Sequence, residues 1–279
     1  MKSRGFLLLM TAGMACAQIQ VIGMGTSSDF TSSLPATGSL ASIFVKGLTG
    51  ITGVVQASGS PVPDTLAGVS VTIYGSPAPI LAIADVNDLY GHWQQINIQI
   101  PLPPPGQTGN GPLILVTQSG ETGAGAAPGF YGQWGVFFAD AKKNGVLQHA
   151  DYSLVTAANP ARPGEMLVAY ATNLADYDSI SNAPAIGMPA GADPLPRVDQ
   201  PGLFSYYANV NGVRVETPYV GLSPGLIGVF QVNFVVPSSI GPSLATLQMI
   251  GFPSCFGFGA LCPNVKQSNV ITFPVGIGQ

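Results

Sequence analysis

Apolar and polar residues alternate with period two along much of this chain. Two stretches do so in nearly the same letters: Gln95-Ile96-Asn97-Ile98-Gln99-Ile100-Pro101 and Gln231-Val232-Asn233-Phe234-Val235-Val236-Pro237. Period two is the signature of a half-buried strand, because successive side chains point to opposite faces. It predicts Ile96, Ile98 and Ile100 facing one core and Val232, Phe234 and Val236 facing another. Gln95, Asn97, Gln231 and Asn233 form the outward set, with hydrogen bonds to a neighbouring strand or loop expected. Each stretch closes on a proline, which cannot donate to a ladder and marks a strand end.

The surroundings of the two heptads recur in the same order. Residues 38–48 align with 164–174 as a glycine turn, a strand and a second turn. The alternating run 69–75 aligns with 206–212. A Gly-Pro pair follows each heptad, Gly111-Pro112 before one apolar run and Gly241-Pro242 before the other. The offset drifts between about 126 and 137 residues, which places length changes in loops. Between the copies, apolar runs flank Asn144-Gly145, a dipeptide that favours a type I′ turn and predicts a β-hairpin. The expected fold is all-β: two tandem immunoglobulin-like β-sandwich domains joined by a hairpin-containing connection. The expected division is a signal peptide at 1–17, a flexible lead-in at 18–37, the first domain at 38–126, the connecting segment at 127–160 and the second domain at 161–279.

The N-terminus changes the setting. Lys2 and Arg4 precede a short apolar run, and Ala15-Cys16-Ala17 is a small-x-small cleavage site. The run is too short to span a membrane. An exported protein, secreted or at the cell surface, is expected, with no transmembrane segment after cleavage. Cys16 as a lipid anchor is disfavoured, because Gly13-Met14-Ala15 lacks the aliphatic residue expected three positions earlier. Leu34-Pro35-Ala36-Thr37-Gly38 matches a sortase motif by letters but has no apolar stretch and basic tail after it, so it reads as coincidence.

Composition agrees with a β-sandwich. There are 36 Gly and 25 Pro among 279 residues, and they punctuate strand-forming runs roughly every ten residues. Only 8% of residues are charged, about a third of the usual share. Losing Lys2 and Arg4 from nine basic residues leaves seven against 13 acidic, a net charge of −6. An acidic chain with no Lys/Arg cluster excludes nucleic acid as a partner and offers nothing to anionic lipid. After cleavage two cysteines remain, Cys255 and Cys262, and export makes a disulfide between them the expectation. It would close a short loop and contribute roughly 2–3 kcal/mol on the chain-entropy account. Zinc would need further ligands, and the chain has only His92 and His149.

Residues 38–48, 66–80 and 95–101, together with Ala127-Pro-Gly-Phe130, Asn159-Pro-Ala-Arg-Pro-Gly164 and the run from Gly221-Leu-Ser-Pro-Gly225 through Pro237, resemble a known family. It is the C-terminal domain of secreted proteins expanded in Solibacter and other acidobacteria. The resemblance covers about residues 35–279. It implies paired immunoglobulin-like sandwiches of the IPT/TIG type and implies no catalytic residues, none being established for the family. One feature departs from it, the domain directly following a signal peptide, and the 176–201 loop and the cysteine insertion are individual to this chain.

Candidate chemistry is sparse. Gly221-Leu-Ser223-Pro-Gly225 matches a nucleophile elbow by letters. The residue after the serine is Pro224, which has no N–H for an oxyanion hole, so a turn between strands is expected. Tyr90, His92 and Trp93, with Asp85 and Asp88, form a candidate ligand-binding rim, since tyrosine and tryptophan rims stack on sugars. Asp176 and Asp178 form a candidate calcium site, without the spacing of an EF-hand or its distal Glu. No other cofactor is expected. His149 and Asp151 read as surface polarity on the hairpin arm. The leading expectation is an exported, non-enzymatic surface, structural or adhesion protein whose partner is a cell-envelope or extracellular protein or polysaccharide. The alternatives are a carbohydrate-binding module stacking on Trp93, Tyr90 and Trp134, and a secreted hydrolase using His92 or His149.

Overall fold

The computed structural model describes residues 18–105, 113–126, 134–198, 204–253 and 265–277. These form twenty strands and no α-helix among the described residues, so the chain is all-β. The first ten strands are β1 (Gln20–Thr26), β2 (Leu40–Lys46), β3 (Val54–Gln56), β4 (Thr65–Leu66), β5 (Val69–Ile73), β6 (Ser76–Pro77), β7 (Ile80–Asp88), β8 (Gly91–Gln99), β9 (Leu113–Gln118) and β10 (Glu121–Ala126). The rest are β11 (Gly135–Val136), β12 (Leu147–Gln148), β13 (Met166–Thr172), β14 (Phe204–Val210), β15 (Val213–Glu216), β16 (Tyr219–Leu222), β17 (Phe230–Val235), β18 (Ser243–Pro253), β19 (Lys266–Gln267) and β20 (Ile271–Val275). No helix among the described residues is long and apolar enough to cross a membrane.

Alternation decides what each strand buries. In β8, Ile96 and Ile98 lie fully buried opposite Ile43 and Ala41 of β2. In β17, Val232 and Phe234 lie fully buried opposite Ala169 and Leu167 of β13. Each such side chain gains about 1.5–3 kcal/mol over its exposed state, which makes the apolar half of each heptad the main local drive to pair. A sheet ordered β1-β2-β8-β7-β3 shares one core with a sheet ordered β10-β9-β5-β4, where β6 also pairs with β5. A third sheet, β11-β13-β17-β16 with β12 also on β13, shares a second core with β15-β14-β18-β19, where β20 also pairs with β18. All pairings between these strands are antiparallel, as expected when sandwiches are built from hairpins and returns.

Several local expectations are corrected. The lead-in is not loose: β1 pairs with β2 from Gln20↔Lys46 to Thr26↔Ala41, and Ile19, Met24 and Leu34 are buried. Its Ser, Thr and Gly content argued for a loop, but the open edge of β2 supplies partners, and pairing outweighs intrinsic propensity. The hairpin between residues 137 and 146 forms, yet its turn is not at Asn144-Gly145. Phe138 bridges Gly145, Lys143 N–H donates to Asp140 O at 2.9 Å, and Lys143 takes the left-handed φ of +61°. The Asp140 carboxylate sets this turn by accepting from Lys142 N and from both Asn144 nitrogens. The segment from Trp134 to Leu147 is more than a connection, because β11 and β12 both pair with β13 and their side chains enter the second core. The leader at 1–17 and Cys255 with Cys262 lie outside the described residues.

The two cores meet at a polar junction. Gln99, the last residue of β8, is fully buried. Its Nε2 donates to Gly38 O at 2.8 Å, and its Oε1 accepts from Gly187 N at 2.7 Å. Val62 N–H donates to Gly187 O at 2.8 Å, and Leu40 N–H to Thr172 Oγ1 at 3.0 Å. Tyr177 packs over Gly38, where a Cβ would land on the ring, and φ there is +75°. Burial pushes the Tyr177 phenol up to about 12, with Gln99 opposing the rise.

Candidate functional site

The β7–β8 hairpin carries the predicted rim and spreads it apart. Tyr90 sits in the turn, 89% exposed, its N–H donating to Asp88 Oδ1 at 2.8 Å. His92 Nε2 lies 2.7 Å from Asp85 Oδ1, which also accepts from Gln94 Nε2 at 3.0 Å. These bonds, that of Gln94 first, hold the Asp85 carboxyl below its ordinary range. Trp93, the next residue in the strand, faces the other side. Its ring meets Phe44 edge-on at 5.4 Å, and Phe44 meets Phe30 at 5.8 Å. The structure thus brings His92 to Asp85 and Trp93 to Phe44, and leaves Tyr90 apart from both.

Asp176 and Asp178 are exposed and flank buried Tyr177 in a 3-10 turn, Tyr177–Ser179. No group of three His, Cys, Asp or Glu side chains suited to a metal occurs among the described residues. Ser223 is buried just after β16 in the turn that leads to β17, and donates to Gln231 Oε1 at 3.4 Å. Trp134 is not a surface stacking residue. It is 2% exposed, stacks on Tyr206 at 5.1 Å, and lies where a Cβ on Gly251 would fall. His149 is not surface polarity either. It is buried, with Nδ1 2.7 Å from Glu165 Oε1 and Nε2 3.2 Å from Asn159 O.

A concave feature among the described residues lies on the outer face of the third sheet. Its volume is about 530 Å³. Because β13 turns Leu167, Ala169 and Ala171 inward, Val168 and Tyr170 point outward. By the same alternation β17 presents Gln231 and Asn233 beside them. Gln231 Nε2 donates to Asn233 Oδ1 at 2.9 Å, and the Tyr170 hydroxyl donates to Gln148 Oε1. Burial, with Tyr152 nearby, raises the Tyr170 phenol above its ordinary range. One wall is the 149–153 turn with Tyr152, and the opposite wall is the β16–β17 turn with Leu226.

His149 lines this cavity together with Ser223, a histidine, carboxylate and hydroxyl neighbourhood that invites a hydrolase reading. His149 Nδ1 faces the Glu165 carboxylate and Nε2 faces the Asn159 carbonyl, while the Ser223 hydroxyl is directed at Gln231. Tyr152, Tyr170 and Gln148 escaped the sequence reading. A usable signal existed for Tyr170: it stands in the aligned block 164–174 with the same outward parity as the polar residues of the second heptad.

No family model matches the chain, and no curated protein matches it. Among solved structures, an endo-fucoidan hydrolase of glycoside hydrolase family 107 aligns at 11% identity and a TM-score of 0.13. That alignment covers 92% of this chain and 44% of the hydrolase, and at such a score nothing is inferred from it.

Proposed function

We propose that this chain is an exported, non-enzymatic β-sandwich protein of surface or adhesion type, acting by binding through the outer faces and loops of its sheets. The observation that carries the reading is the cavity on the third sheet. It gathers neutral amides and phenols in a concave site, while its histidine is spent on Glu165 and a carbonyl. Such a site is equipped to hold a ligand and poorly equipped to move a proton. The resemblance to the secreted, IPT/TIG-type C-terminal domains supports two immunoglobulin-like domains arising by duplication. So does register: Asn97 stands opposite Ser42 and Gln95 opposite Phe44, as Asn233 stands opposite Val168 and Gln231 opposite Tyr170. Export rests on the leader, and a Cys255–Cys262 bond would follow from it. Calcium at Asp176 and Asp178 and sugar stacking at Tyr90 and Trp93 have less support, given the exposed pair and the separated rim.

The test has two arms. The full chain is expressed in a host that exports it, and envelope, periplasm and medium are probed for it. Purified protein is then assayed on a panel of glycosidase, esterase and peptidase substrates. Export without turnover is expected. Turnover abolished by His149→Ala or Ser223→Ala would overturn the reading.

A further inference from the structure

We propose that the cavity on the outer face of β12, β13, β17 and the two flanking turns is a binding site for a neutral saccharide. The inference rests on the binding-protein reading and names the ligand class and the site.

Size comes first. About 530 Å³ lies within the range of small-ligand sites and accommodates a short oligosaccharide segment. Charge comes next. No Lys, Arg, Asp or Glu lines the cavity. An anionic ligand would call for paired cations, and a cationic one for carboxylates or an aromatic cage. A neutral, polyhydroxylated ligand calls instead for planar amides, which offer donor and acceptor side by side. Gln148, Gln231 and Asn233 supply them. Their positions are preset, since Gln148 Oε1 is held by Tyr170 and Asn233 Oδ1 by Gln231. The amide nitrogens of Gln148 and Asn233 have no partner among the described residues and remain for ligand hydroxyls.

A sugar also has an apolar C–H face, and the rim answers it. Tyr152 is 78% exposed and takes a φ of +67°, a conformation a bulky residue adopts only when its surroundings hold it there. The surroundings do so: Tyr152 N–H donates to His149 O at 3.0 Å, and His149 N–H to Ser153 O at 2.9 Å. Asp151 accepts from both the N–H and the hydroxyl of Ser153. The strained turn thus presents an aromatic ring at the mouth of the cavity, with partly exposed Leu226 across from it. An aromatic with a polar tip is suited to stacking and hydrogen bonding at once.

The test uses the full chain on an array holding neutral glucan, xylan, mannan and galactan oligosaccharides beside uronate-containing and sulfated ones. The best ligand is then titrated by calorimetry. Binding to neutral oligosaccharides is expected, with affinity insensitive to salt and at least tenfold weaker in Tyr152→Ala and in Asn233→Ala. Trp93→Ala should bind as the parent chain does. Tyr152 is exposed enough that its variant keeps the fold, checked by an unchanged melting curve. Binding undiminished in Tyr152→Ala, or confined to the anionic oligosaccharides, overturns the assignment. No saccharide bound while the chain still adheres to envelope fractions also overturns it, yet leaves the binding reading standing. Turnover lost in His149→Ala overturns that reading itself.

Discussion

The heptads at 95–101 and 231–237 share their inner face and differ in what lies over the outer one. Both turn three apolar side chains inward, and both carry the same Gln-to-Asn hydrogen bond along the strand, at 2.7 Å from Gln95 to Asn97 and at 2.9 Å from Gln231 to Asn233. The residues at the fifth position part company. Gln99 is fully buried and ties Gly38 to Gly187, whereas Val235 is 37% exposed. The residue before each heptad differs too: Gln94 supports Asp85, and Phe230 fills the second core. Over the first heptad's sheet runs the row Phe30, Phe44 and Trp93. Over the second opens a cavity rimmed by Tyr152. The same strand pattern therefore serves as a buried tie in one place and as the floor of a cavity in the other.

Three measurements separate what the heptads share from what they do not. The largest effect is expected at the shared inner face. Phe234→Ala removes a fully buried ring opposite Leu167 and should cost about 3–5 kcal/mol in denaturant unfolding. A loss below 1 kcal/mol would mean the inner face does not hold the strand. An exchange at the fifth position tests the difference. Gln99→Val leaves Gly38 O and Gly187 N buried without their partner, at a cost of about 1–3 kcal/mol. The reciprocal Val235→Gln, at an exposed position, should stay within about 0.5 kcal/mol. Equal effects in the two variants would erase the distinction between junction and free face. The smallest effect concerns Gln94 and Asp85. The Asp85 carboxyl titrates below its ordinary value of 3.8, because it accepts hydrogen bonds from Gln94 and His92. Its folded-state value lies below its unfolded one, so the linked stability is present above about pH 4 and fades as pH falls through the lower folded value. A carboxyl carbon NMR titration should find the Asp85 midpoint rising in Gln94→Ala, and an unmoved midpoint would remove Gln94 as its cause.

Much of this was legible along the chain. The strands around both heptads, the hairpin near residue 140 and the Ser223 turn all follow from alternation and from Gly and Pro punctuation. The lead-in is not legible in this way, because β1 has weak local preference and forms against the open edge of β2. The turn falls at 140–143 because Asp140 stabilises it through side-chain bonds that outweigh the Asn-Gly signal. Nothing local in the short segment around Trp134 and His149 signals that it completes a sheet and enters a core.

The sequence by itself determined which side of each strand is apolar, since period two leaves a strand only one face to bury. It also determined the low charge and the excess of acidic over basic residues. What only the tertiary structure decided is what covers the other side. Gln99 became buried because the loop carrying Gly187 closes over it, and Gln231 and Asn233 came to line a cavity because two turns far apart in the chain rise beside them. Such a concavity depends on distances between segments with no shared periodicity, and no local pattern encodes that.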